Sequence, residues 1–557
     1  MTTNQDGNEP TDLPTGCTFH QQKPSKSRRR MLGAIGAGVG AAVVLPTAAL
    51  AQTDGGGDND GDRRRGDRDG NRDGGGRNGR GRGAVDGPDR FSRMFDLPSF
   101  AEPSQELRAA LIELGRPGGI MDANDPLDVG PIRLITEPDL SPNNRDNPTH
   151  TAGVTFLGQF MDHDITRDAG SVLGQVTPVR RSTNLRSAQM DLDSVYGGGP
   201  GESPELYDGF RFRIESGGQF EDLPRDDDGQ AIVGDGRNDE NLIISGLHAA
   251  FLSFHNAVID DIATGTPTEA DFEQARRTVQ HHYQWIVVNE VLPQFVGQDM
   301  VDSILISGFE IYDTDTPRIP LEFQTAAYRF GHSMIRPSYR ANLAGDNGDP
   351  FFAFVFDPET FGDTDPEDLS GGQRASRRFI GWQTFFDFED GEVKPNKRID
   401  TSMSTPLFQL PIMSIPTTRG EDLGPTSLAS RNLLRHITWE IPSGQAIAQA
   451  MGVDPLSTAD LSDLSNLGAN LDTSTPLFFY LLREADVMAD GLHLGPIGGR
   501  MVAEVFLGIL DADPNSYRNA SENWRPTLPQ RNGSTGDDFT MVDLLTIAGV
   551  DPTSRGQ

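Results

Sequence analysis

The chain has 557 residues, 82 acidic against 48 basic side chains, a formal net charge of −34 and a single cysteine. A surface that acidic repels nucleic acid and anionic lipid, so neither is expected as a partner. The length exceeds the ~250–300 residues at which one core stops growing. The lone Cys17 lies ahead of an expected cleavage site, which leaves the remainder without disulfide, thiolate metal site or cysteine nucleophile.

Residues 1–26 are polar and aperiodic. Ser27-Arg28-Arg29-Arg30-Met31-Leu32 then precedes a Gly/Ala-rich apolar run over 33–50, closed by Ala49-Leu50-Ala51. A basic start, a short apolar stretch and an A-x-A end predict a secretory signal over 1–51. The paired arginines make it twin-arginine-like. The run is too short and glycine-rich for an anchor of ~20 strongly apolar residues. Residues 52–84, dominated by Gly, Asp, Arg and Asn, cannot bury enough surface to fold and read as a flexible linker. Lysine occurs only at Lys23, Lys26, Lys394 and Lys397. Strong acidity with so little lysine suggests a secreted protein adapted to high salt.

The remaining 85–557 form the expected domain, with globular character from Arg90. Apolar periodicity predicts helices over 104–114 and 152–166, and a long one over 241–262. Thr268 caps another that runs toward Leu292. Further helices are expected over 323–335, 427–436, 444–451, 475–488 and 497–510. Strand-like alternation is rare, so the class is mainly α with long irregular loops and little β. No later apolar run reads as long enough to span a membrane, and no stable membrane insertion is expected.

Five clusters carry chemistry. In Gly158-Gln159-Phe160-Met161-Asp162-His163-Asp164, Gln159 and His163 are four apart and share a helix face. An amide, an imidazole and two carboxylates on one mostly apolar turn are costly to bury without a use. Gly234-Asp235-Gly236-Arg237-Asn238-Asp239-Glu240 places Arg237 and Glu240 three apart at a helix start. In Tyr328-Arg329-Phe330-Gly331-His332, the glycine lets something flat approach the histidine. Asn432, in an otherwise apolar helix with Arg431 and Arg435 beside it, needs a buried partner such as an imidazole N–H. Ser187, Gln189, Asp191 and Asp193 alternate along one loop, a pattern suited to a hard cation such as Ca²⁺. Val195 and Tyr196 rule out an EF-hand there.

Together, and in this order, these clusters resemble the animal-type haem peroxidases of the peroxidase–cyclooxygenase superfamily, especially secreted microbial members. The resemblance covers roughly residues 90–551. It includes Tyr283-Gln284-Trp285-Ile286-Val287 with Glu290, Leu292 and Pro293, and the late Leu494-Gly495-Pro496 with Met501-Val502-Ala503-Glu504. It implies haem b, with His163 as distal histidine, Gln159 as its halide- and water-binding neighbour and Arg237 as distal arginine. It further implies His332 as axial iron ligand, Asn432 as acceptor for that histidine's other nitrogen, and Arg329 at a propionate. Asp162 and Glu240 match carboxylates that form ester bonds to haem methyl groups. Asp164 with Ser187, Gln189, Asp191 and Asp193 matches a calcium site tethering the distal helix.

The implied reaction uses hydrogen peroxide to oxidise halide-like anions or small phenolic donors, with His163 moving the proton and Arg237 stabilising charge. Asn241 stands where the best-known secreted oxidase has a sulfur-linked methionine, so no such link is expected. Two alternatives stay open. A fatty-acid dioxygenase on the same scaffold is opposed by Arg329 at the radical-tyrosine position, three before His332, with Tyr328 one off. An inactive extracellular binding protein would have no need of Gln159, His163, Arg237 and His332 together. The other histidines, His20, His150, His248, His255, His281, His282, His436 and His493, read as structural or exposed.

Overall fold

The computed structural model describes residues 90–555 except 169, 216–219, 346–347, 358–365, 375–376, 412–414, 416–423 and 522. The expected signal and linker therefore lie outside the described residues. The described part is mainly α. Among the described residues, β structure amounts to short two-stranded antiparallel pairs and isolated bridges. The pairs are Asp146–Thr151 with Pro395–Lys397, Tyr207–Asp208 with Arg211–Phe212, and Ser338–Asn342 with Phe351–Phe354.

The helices start where side chains can take up free backbone N–H groups. Helix α1 is Gln105–Leu114, with the Ser104 hydroxyl accepting from Leu107 N at 3.0 Å. Helix α2 is Ala152–Ile165. Helix α3, Leu242–Ile262, is capped by Asn241, whose side-chain oxygen accepts from Ile243 N and Ile244 N. Helix α4, Glu269–Ile286, opens on a reciprocal Thr268/Asp271 capping box. It widens into one π turn over Val287–Val291 before a short helix at Leu292–Val296. Helices α5 Leu428–Thr438, α6 Gly444–Ala450, α7 Leu477–Ala489 and α8 Pro496–Ala512 complete the frame. Glu484 of α7 accepts from Ile497 N and Gly498 N at the start of α8, joining the two.

Helix α2 is buried on nearly all sides. Phe160 stacks on Phe251 of α3 with ring centroids 4.8 Å apart. A side chain at Gly158 would meet the Phe295 ring at 3.0 Å, so glycine there lets the Phe295 segment close on α2.

Three expectations need correction. The stretch 323–335 is not one helix. It breaks into Leu321–Thr325, a 3₁₀ turn at Ala327–Phe330 and a single turn at Gly331–Met334. The break at Ala326 lets Tyr328 stack on Phe323, with rings 4.9 Å apart and nearly parallel. Pro337 then holds the chain extended after the last turn. Helix α3 is, by length and composition, apolar enough to cross a membrane, contrary to expectation, but most of it is buried in the protein core. Helices at Pro131–Thr136, Gln298–Ser307 and Met541–Ile547 were not foreseen. The last carries a Thr540/Asp543 capping box, the same signal that marks α4.

Candidate active site

A cavity of about 870 Å³ lies between α2, the Gly236–Asp239 turn, the broken 327–334 segment and α5. Its lining brings together Gln159, Asp162, His163, Arg237, Glu240, Arg329, His332 and Asn432. These come from four stretches far apart in sequence. A side chain at Gly331 would meet nothing within 4 Å, so the surface beside His332 is open to a flat group.

On the α2 wall, His163 is buried and its Nδ1 lies 2.8 Å from Asn238 Oδ1. That bond occupies Nδ1 and leaves Nε2, on the opposite ring edge, for the cavity. Burial and then the Arg237 charge push the imidazole down to about 4, so it is neutral at pH 7. Arg237 Nη2 donates to the carbonyls of His163 at 3.1 Å and Thr166 at 2.7 Å, and to Asp235 Oδ2 at 2.8 Å. Burial alone would raise the Asp235 carboxyl, but Arg237 and Arg186 overcome it and hold it well below the usual carboxylate range. Glu240 is pushed up to about 7, mainly by burial. The Asp162 carboxylate accepts from the Thr166 hydroxyl at 2.8 Å.

On the wall built by the 327–334 segment and α5, burial and then Arg329 push His332 down to about 3. Its Nδ1 lies 2.8 Å from Asn432 Nδ2. The partner is the expected one, but the amide presents its nitrogen rather than the expected acceptor oxygen. Amide oxygen and nitrogen are nearly equal in size, and half a turn exchanges them. Arg329 Nε donates to Gln324 O at 2.8 Å. Arg431 and Arg435 of α5 also line the cavity. Burial and the neighbouring Arg329 lower Arg435 to about 10. A cavity with an accessible imidazole on each of two walls and three arginines near one of them fits a flat, iron-bearing dianion such as haem. The Arg431/Arg435 pair was visible at helical spacing in the sequence, but nothing there showed which way it faced.

The carboxylates of Asp164, Asp191 and Asp193 converge, with ligand atoms within 4.8 Å of one another. Both Asp164 oxygens are buried without a hydrogen-bond partner. Burial, then Asp191 and Asp193, push Asp164 well above the usual range, and burial pushes Asp193 up to about 7. The Ser187 hydroxyl donates to Asp191 Oδ2 at 3.2 Å, and Gln189 sits between them on the loop. This donor set fits a hard divalent cation. Asn241, besides capping α3, lines the cavity.

The remaining described histidines lie outside the cavity lining. His150, His248, His255, His281, His282 and His436 are buried, and His493 is partly so; His20 is outside the described residues.

The family model for animal haem peroxidase matches residues 170–349, which hold Arg237, Glu240, Arg329 and His332. The peroxidase mlt-7 of Caenorhabditis elegans is 26% identical over 353 residues, 58% of this chain and 44% of that one. Human thyroid peroxidase is 31% identical over 113 residues, 20% of this chain and 12% of that one. The family model and these relatives support the peroxidase–cyclooxygenase superfamily. Among solved structures, peroxidase A from Dictyostelium discoideum matches with a TM-score of 0.57 at 17% identity, over 83% of this chain and 94% of that one, which supports the fold. The chain spans less than half the length of these curated relatives.

Proposed function

We propose that this protein is a secreted haem peroxidase that uses hydrogen peroxide to oxidise halide-like anions or small phenolic donors. The observation that carries this reading is the placement of His163 and His332 on one cavity, each neutral and each hydrogen-bonded at Nδ1. When bound, haem supplies the redox-active iron.

His332 would hold the iron through Nε2, with Asn432 fixing the ring from the other nitrogen. Neutral His163 accepts a proton from peroxide at Nε2 and returns it to the departing oxygen, which leaves as water. Arg237, held by two carbonyls and Asp235, stabilises charge as the O–O bond breaks. Gln159 would orient water or an anion beside it. The cavity lining contains Arg108, Arg167, Arg237, Arg329, Arg431 and Arg435 against Asp162, Asp168 and Glu240. That local excess of positive charge in a chain of net −34 draws anions inward. One halide-like anion gives up two electrons, or two phenols give up one each.

Arg329, with Arg435 and Arg431, would meet the haem carboxylates. Asp162 and Glu240 would form its ester links, which acid–organic extraction tests: native protein should keep its haem and a double alanine variant release it. Calcium would sit among Asp164, Asp191 and Asp193, with Ser187 and the Gln189 carbonyl completing its shell. The 1–51 segment would direct export by the twin-arginine route. A fatty-acid dioxygenase is the weaker reading, because the Tyr328 hydroxyl is tied to the Gly158 carbonyl at 3.0 Å.

Turnover with bromide, iodide or phenol tests the activity. Product should form only when both haem and peroxide are supplied. A haem-loaded protein that turns over none of the three donors would remove the peroxidase reading.

A further inference from the structure

Asn238 and His248 stand behind the distal histidine, and the reading above gives them no part. The three side chains form one buried chain. His163 Nδ1 lies 2.8 Å from Asn238 Oδ1, and Asn238 Nδ2 lies 2.9 Å from His248 Nδ1. Asn238 is fully buried, and His163 and His248 are 3% and 1% exposed. They come from three elements: α2, the Gly236–Asp239 turn and α3.

The chain has a direction. With the Asn238 oxygen toward His163 and its nitrogen toward His248, the nitrogen donates, so His248 Nδ1 accepts and its proton sits on Nε2. The amide oxygen only accepts, so His163 Nδ1 must carry a proton and its Nε2 must be a bare lone pair. We infer that Asn238 and His248 are positioning residues that fix His163 in the one tautomer able to take a proton from a molecule in the cavity. His248 acts through the amide. Without an acceptor at its position, nothing distinguishes the two faces of Asn238. With the amide turned, His163 would accept at Nδ1, carry its proton on Nε2 and offer the cavity no base.

Burial supports this fixed pattern. It pushes His248 down to about 3, so the imidazole stays neutral and keeps one ring nitrogen able to accept. The Phe160 ring packs edge-on against His248, with centroids 6.4 Å apart, and helps seal the chain from solvent.

The inference deepens the peroxidase reading, and its test separates the two. ¹⁵N-histidine spectra of the full chain, with and without zinc protoporphyrin as a diamagnetic probe, report which ring nitrogen carries each proton. His163 is assigned by its loss in His163→Gln. The expected result is His163 protonated on Nδ1 and His248 on Nε2. In His248→Phe and Asn238→Leu, His163 should move toward the Nε2–H form. The peroxide-driven spectral change of the haem-loaded protein should slow by roughly 10²-fold, approaching loss of the base itself. Asn238→Asp keeps an oxygen for His163, so its tautomer and most of the rate should survive while His248 switches to Nδ1–H. Wild-type His163 protonated on Nε2, or an unchanged His163 tautomer in both His248→Phe and Asn238→Leu, would overturn the inference. Should one variant fail to fold, the wild-type spectrum and the other variant still decide. Failure to take up any porphyrin would count against the peroxidase reading and leave the tautomer result standing.

Discussion

The two walls of the cavity are built differently. The His163 wall rests on regular structure: α2 and α3 pack through stacked aromatic rings, and Asn241 and Asp235 cap the elements between them. Its polar groups hold one another in a continuous set, from His163 through Asn238 to His248, and from Arg237 through Asp235 to Arg186. The His332 wall is a broken chain of single turns, and its histidine has a hydrogen bond to one amide from α5. A group that must hold a defined proton calls for an over-determined setting. A group that must bind through one nitrogen needs its ring oriented and little more.

The largest effect expected lies on the His163 wall. His163→Ala should slow the peroxide-driven spectral change by about 10²–10⁴-fold, measured by stopped flow on haem-loaded protein. A rate within a few-fold of wild type would remove His163 as the base. On the other wall, Asn432→Leu should cost on the order of 10–100-fold in haem affinity or rate, as loss of a ligand's orienting partner does elsewhere. If Asn432→Leu proved the costlier of the two, the contrast between the walls would be reversed.

Chelation tests whether an ion among Asp164, Asp191 and Asp193 steadies α2. Chelation should lower the melting temperature and the peroxidase rate together, because Asp164 adjoins His163 on the helix. Asp164→Ala should become insensitive to chelator. Full rate in a calcium-free preparation would leave the three carboxylates without that role.

Acid acts on the buried histidines in one direction. Burial holds His163, His150, His255, His282 and His436 near 4, and His248 near 3, below the ordinary histidine value of 6.5. The unfolded chain therefore binds these protons first. Stability is full above about 6.5 and is lost as pH falls through the folded values. Melting temperature should decline from pH 7 to 4, and the peroxide step should hold until pH approaches 4. A melting temperature that rises over that interval would contradict the neutral, buried assignment. The smallest effect belongs to Asn241→Ala, which removes the α3 cap and should cost ~1 kcal/mol in thermal unfolding while leaving the peroxide step nearly unchanged.

Much of the frame is legible in the chain. Ser104, Thr268 and Asn241 mark helix starts by local chemistry, and Gln159 and His163 share a face by spacing alone. The His332 segment is not legible as broken, because its apolar residues keep helical spacing while Tyr328 stacks back on Phe323, a tertiary contact that no local pattern encodes. The carboxylate cluster joins Asp164 to Asp191 and Asp193 across an intervening loop, a contact no local pattern encodes. Asn238 and His248 escaped for the same reason. Ten residues apart, they meet only because the Gly236–Asp239 turn folds against the start of α3.

The proposed function requires that the cavity hold a haem between His163 and His332, with His332 on the iron. The measurement that tests it most directly is the visible absorption spectrum of the purified, haem-supplemented protein and of His332→Ala, each before and after one equivalent of peroxide. The wild type should show a ferric high-spin haem spectrum that shifts with peroxide and returns on adding bromide, iodide or a phenol. His332→Ala should lose the bound-haem spectrum. A wild type that binds no haem, or a His332→Ala spectrum identical to the wild type, would contradict it.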